Sequence, residues 1–140
     1  MSDTFELAGV ALRVRDMAQD RVDRGFIASR WRNSYSAQRA GVDREAYLAQ
    51  WKLIDRLLDR ATVKVVCDAE VASTIHAFAV ADAPNVLHYA YTVPSLQGHG
   101  LARAAIKAAL GDVMRVRCTH RWPWASERYR YDWYPLAVAS

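Results

Sequence analysis

The chain has 140 residues, enough for one globular domain and too few for two comfortable ones, and its 52% apolar, 24% charged and 11% aromatic content excludes a disordered or low-complexity class. Its net charge of +4, with arginine far outnumbering lysine, suits phosphate-bearing ligands, acidic partners or nucleic acid, and the sign alone does not choose among them. No apolar run reaches membrane-spanning length, Met1-Ser2-Asp3 lacks a basic, then hydrophobic, leader, and Cys67 and Cys118 stand apart, so a single cytoplasmic domain over residues 1–140 is expected.

Phe5 to Arg15 alternates apolar and polar residues through Leu7, Val10, Leu12 and Val14, which predicts a first strand with one face on the core. Asp16 or Asp20 offers a helix start. Ile27, Trp31 and Tyr35 then recur every fourth residue, with Val22 and Phe26 alongside, and predict a first helix over 20–35. After a polar connection at 36–41, Asp43 is placed to cap a second helix whose apolar stripe is Tyr47, Trp51, Ile54 and Leu58, while Arg44, Lys52, Arg56 and Arg60 stay wet.

Residues 62–67 and 71–81 are rich in β-formers and are separated by a turn at Asp68-Ala69-Glu70; a second turn at Asp82-Ala83-Pro84-Asn85 leads to a third strand from Val86. Short turns make this an antiparallel meander. If Ala81 pairs with Val86, His88 shares a face with Ala77, Ala79 and Ala90, while His76 faces the side of Phe78, Tyr89 and Tyr91. Asp112 to Thr119 alternates again and predicts a strand beside the one that starts at Val86, through a right-handed crossover. The tail from Trp122 to Leu136 holds three of the five tryptophans and three of the seven tyrosines, in a short helix or irregular segment followed by a last strand.

The stretch from Val86 to Leu110 organises the rest, as a strand, a turn with Gly98 and Gly100, and an alanine-rich helix. A helix start leaves its first N–H groups without carbonyl partners and adds the positive end of the macrodipole, so an anion fits there, and the glycines remove side chains that would keep a phosphate away. A dinucleotide fingerprint would need glycine or alanine at Arg103, and a P-loop would need Gly-Lys-Ser/Thr; both are absent. What remains, Gln97-Gly98-His99-Gly100-Leu101-Ala102 after Pro94, resembles the Arg/Gln-x-x-Gly-x-Gly/Ala motif of the GNAT superfamily of N-acetyltransferases. A plain glycine turn joining strand to helix is the alternative.

The element order is similar to that of the superfamily over almost the whole chain, and departs from it in a shortened end. The resemblance implies an α/β (α+β) fold with a mixed, mostly antiparallel central sheet and helices on both faces. It implies acetyl-CoA as cofactor, with the pyrophosphate on Gln97, Gly98, His99, Gly100, Leu101, Ala102 and Arg103, and the pantetheine arm along Tyr91, Thr92 and Val93. Lys107 shares a stripe with His99 and Arg103. The implied reaction moves an acetyl group to a primary amine of a small molecule or protein. Tyr129, then Tyr131, are the candidate acids for the departing thiolate, with aromatic packing in the tail as the alternative. His88 is the candidate base, with a hydrogen-bonded core histidine as the alternative, and Glu70 is a weaker one.

The superfamily takes its substrate contacts from the first two helices and the closing strands, and the former region offers Arg30, Trp31, Asn33 and Tyr35 without a recognisable pattern. Four histidines and two cysteines show no metal-ligand spacing, and no Gly-x-Ser-x-Gly elbow occurs. Arginines interleaved with aromatic residues at 24–39 and 115–134 suit nucleic acid, although a solvated basic face is favoured. Short GNAT-like chains with a reduced tail occur in phage and prophage genomes, and this one looks similar; as the central strands offer no convincing carboxylate base, the rival expectation is a catalytically inactive GNAT-like protein that engages a protein or nucleic-acid partner through its basic aromatic surface. The protein is expected to be a monomer or homodimer.

Overall fold

Apolar residues stand at odd positions in Phe5 and Leu7 and at even positions in Val10, Leu12 and Val14, a change of phase that one strand with one buried face cannot absorb. In the computed structural model, which describes residues 4–20, 22–36, 44–112 and 116–118, the single strand expected here is a hairpin. β1 (Thr4–Leu7) and β2 (Val10–Asp16) pair antiparallel, with Phe5 opposite Leu12 and Leu7 opposite Val10, so both apolar sets reach the same face. The turn holds Ala8 at φ 54° and Gly9 at φ 76°, the pair of left-handed residues that matches a hairpin's twist.

α1 (Asp23–Ser36) starts as expected behind Asp20, whose Oδ1 accepts the Asp23 N–H at 2.8 Å. Its Ile27 and Trp31 are fully buried, as are Ile54, Leu57 and Leu58 of α2 (Arg44–Arg60), whereas Val22 stays exposed. The connection between the helices, with Asp43, lies outside the described residues. At the start of α1, the buried Asp23 carboxylate accepts the Ala18 N–H at 2.7 Å and the fork of Arg15, with Nη2 at 2.9 Å from Oδ1. That guanidinium holds the Asp23 carboxyl below its usual range, against the opposing pull of burial.

β3 (Thr62–Asp68), β4 (Ile75–Asp82) and β5 (Val86–Thr92) form the expected meander. β4 begins at Ile75 rather than Val71, because Asp68 Oδ1 accepts the N–H groups of Glu70 and Val71 at 2.9 and 3.0 Å and holds them in a turn. α3 (Leu101–Leu110) then carries the chain to β6 (Arg117–Cys118), which pairs with β5 in parallel. The six-stranded sheet has its strands in chain order, antiparallel up to β5.

The sheet separates two cores. Leu101, Ala105 and Ile106 of α3 pack on Ala77, Ala79, Ala81, Leu87 and Ala90, where small side chains let helix and sheet approach closely. On the other face α1 and α2 cover Val63, Val65, Phe78, Val80 and Tyr89. This is an α+β fold with a mostly antiparallel sheet and helices on both faces. No described helix is long and apolar enough to cross a membrane.

Ala8 occupies a conformation in which a Cβ is strained, and asparagine tolerates it better. Ala8→Asn is expected to stabilise the fold by about 0.5–1 kcal/mol, read from the urea midpoint. Asp23→Asn leaves the Arg15 charge without its partner and is expected to cost about 3 kcal/mol by the same measurement. Since folding depresses the Asp23 pKa, its contribution is complete above about pH 4 and is lost as pH falls below that, so the variant's deficit shrinks under acid.

Candidate functional site

At the end of β5 the chain makes a controlled descent onto α3. The Val93 N–H donates to the His76 carbonyl at 2.8 Å, residues Pro94–Leu96 form one 3-10 turn, and the Gln97 Nε2 reaches back to the Thr92 carbonyl at 3.2 Å. Gly98 and Gly100 follow with φ of 83° and 85°, the left-handed region that glycine enters without strain. A Cβ built at either glycine meets nothing within 4 Å, so the backbone sign, not crowding, requires glycine, and the space over the turn is open.

Gly100 provides no side-chain cap to α3, and the first helical bond runs from the Ala104 N–H to the Gly100 carbonyl at 3.0 Å. Among the described residues, no acceptor meets the N–H groups of Gly98 through Arg103. Gly98, His99, Gly100 and Arg103 are exposed, Ala102 is half-buried, and Leu101 is buried and fixes the helix to the sheet. The result is a row of solvent-facing donors at the positive end of a helix, with the Arg103 side chain on its first turn. Lys107, one turn further, lies 3.8 Å from Asp112.

Among the described residues, β6 pairs with β5 at Val86 and Leu87, and no strand pairs with Ala90 or Thr92 on that side, where the Gln97 side chain meets the Thr92 carbonyl. The bond from Val93 to His76 fixes the alternation: Tyr91 and Val93 turn their backbone groups to β4, and Ala90 and Thr92 turn theirs to the open edge. An extended ligand can therefore pair with Ala90 and Thr92 as an added strand would. Of the three residues expected along such a ligand, Thr92 presents its backbone, Tyr91 presents its side chain to the α1 face, and Val93 closes the ladder.

The register differs from the expected one. Asp82 pairs with Val86 and Ala81 with Leu87, whereas Val80 pairs with Tyr89, so His88 is an extra residue in a bulge. Ala77, Ala79 and Ala90 do share the α3 face, but His88 swings to the other side. Its ring stacks on Trp31 at 6.4 Å between centroids, and its Nε2 lies 2.7 Å from Asp82 Oδ2, which also meets Arg60 at 3.3 Å. His88 is 0% exposed. Burial pushes its pKa down against the pull of Asp82, with Arg60 adding to the fall. The ring is walled off from any incoming amine, so the role of base expected for His88 does not fit its surroundings.

Tyr129 and Tyr131, the candidate acids, lie outside the described residues. Glu70 is exposed in the turn after β3. Cys67 and Cys118 are free and buried, and burial pushes the Cys118 thiol up to about 12, which removes it as a nucleophile near neutral pH. Sequence reasoning missed Ala90 as a backbone position turned away from β4 and Asp82 as the partner of His88. The one-residue bulge that produces both has no local signature in Val86-Leu87-His88-Tyr89.

His88 is neutral when folded and binds a proton more readily when unfolded. Its contribution to stability is therefore complete above the unfolded pKa near 6.5 and declines as pH drops below it. The urea midpoint should fall from pH 7 to pH 5, and that fall should be shallower in His88→Gln. No family model matches the chain, and neither a curated protein nor a solved structure matches it.

Proposed function

We propose that the chain is an acetyl-CoA-dependent N-acetyltransferase that acts on a primary amine. One observation carries the reading: the unpartnered amides of Gly98 through Arg103 stand at the positive end of α3, at the foot of a strand that, among the described residues, has no strand beside Ala90 and Thr92 on its outer edge. An anion cradle alone serves many ligands. A cradle continuous with a free strand edge suits one that joins a pyrophosphate to an extended, amide-bearing arm, as coenzyme A does.

In this reading the amides from 98 to 103 and the Arg103 guanidinium hold the pyrophosphate, and Ala90 and Thr92 pair with the amides of the arm. The bond from Gln97 to the Thr92 carbonyl keeps the turn folded against the strand end, so cradle and edge stay in line. When bound, the thioester supplies an activated acetyl group. A neutral amine forms the new N–C bond as the C–S bond breaks; one amine proton is released and the sulfur leaves as a thiol after taking one up. Tyr129 and Tyr131 remain the candidates to give that proton.

The burial of His88 favours a second reading, a protein of the same shape that binds a protein or nucleic-acid partner through its basic aromatic surface without transfer. A free-thiol release assay across small amines, polyamines and peptides separates the two, since a binder releases none. Nucleic-acid binding would instead give retention that weakens steeply with salt.

Acetyl-CoA at a hundredfold excess over its dissociation constant is expected to add about 2.7 kcal/mol of stability, seen as a rise in melting temperature. Gly100→Val forces a β-branched residue to φ 85° and should abolish that rise. Unchanged melting of the natural chain at millimolar acetyl-CoA would remove the proposal.

A further inference from the structure

Arg30 differs from the other arginines of α1 whose side chains are described. Arg24 pairs with Asp59 at 2.7 Å and Arg32 with Asp55 at 2.8 Å, so both are tied to α2. Arg30 is exposed, and among the described residues it meets no carboxylate. Its guanidinium carbon lies 5.1 Å from the centre of the Phe26 ring and 5.8 Å from that of Tyr91. These rings are themselves fixed, 6.3 Å apart at 70°, and each packs on the fully buried Phe78, at 6.2 and 5.6 Å.

Two consequences follow from that support. A guanidinium resting on ring faces is drawn to their negative π-clouds and gives up part of its hydration, while its N–H groups remain free to donate in plane. It has also lost rotamer freedom before any ligand arrives, which lowers the entropic cost of binding. A planar, preorganised fork of this kind recognises a carboxylate.

Its place in the fold says which carboxylate. Tyr91 directly precedes Thr92, whose backbone groups face the open edge, so Arg30 stands over the strand along which the carrier arm runs, on the α1 side of the sheet. The opposite face is filled by α3. An acceptor approaching the arm from the α1 side meets this cation first.

Resting on the acetyltransferase reading, we propose that Arg30, laid on Phe26 and Tyr91, binds a carboxylate of the acceptor, which makes the acceptor an amine that also carries an acid group, such as an amino acid.

The test is thiol release from acetyl-CoA with matched acceptors, glycine against glycinamide and alanine against alaninamide, in the natural chain, Arg30→Gln and Arg30→Lys. The natural chain should prefer the acids. Arg30→Gln should reduce that preference about 10- to 100-fold through KM, and Arg30→Lys should keep part of it. Circular dichroism and the acetyl-CoA melting shift serve as controls for the fold and the cradle. An acid-to-amide ratio unchanged in Arg30→Gln overturns the inference and leaves the acetyltransferase reading standing, as does release with amides alone. A normal melting shift without release from any of the four acceptors also overturns it. Absence of both shift and release removes the acetyltransferase reading, and this inference with it.

Discussion

The start of α3 is the constraint on which the site depends. Leu101, Ala105 and Ile106 hold the helix to the alanine-lined face of β4 and β5, which leaves it no freedom to rotate its first amides toward a partner within the protein. Two left-handed glycines bring the chain to that start without a side chain that caps it. The donors are thus fixed by packing in one place and left unmet in another, which is how rigid scaffolds generate binding sites. Close helix–sheet contact and an exposed donor row come from the same short segment.

The bulge at His88 is the second determinant, and it acts on two things together. It shifts the pairing of β4 with β5 between Val80 and Ala81, and it sets the His88 ring beside Trp31 and Asp82. An extra residue also increases the local twist of the strand. With Asp82 opposite Val86 and Ala81 opposite Leu87, a regular strand would bring His88, not Tyr89, opposite Val80.

Most of the architecture was legible in the sequence because it rests on long periodic signals. The helical stripes through Ile27 and Trp31 and through Ile54 and Leu58 settle α1 and α2, and the alternation from Val63 to Tyr91 settles the meander. The turn at Gly98 and Gly100 was legible because only glycine adopts its geometry freely. Three features escaped for local reasons. The Ala8-Gly9 turn lacks the asparagine that usually marks it, although the phase change between Leu7 and Val10 carries the information. The late start of β4 depends on a single carboxylate, Asp68, and the bulge on the balance between packing His88 and ladder regularity. At the site, the glycine turn into α3 was readable and the setting of Arg30 was not, because it depends on contact with Tyr91, sixty-one residues away in the chain.

The division of the interior by the sheet bears on how such a chain diverges. The donors of the turn are anchored by one set of apolar contacts, and Phe26, Arg30 and Tyr91 are supported by the other. Under the proposed acetyltransferase reading, substitutions that reshape α1 and α2 would alter which acceptor is welcomed without loosening the hold on the carrier, so that selectivity and carrier capture would drift independently over generations, each buffered from the other by a wall of β-strands.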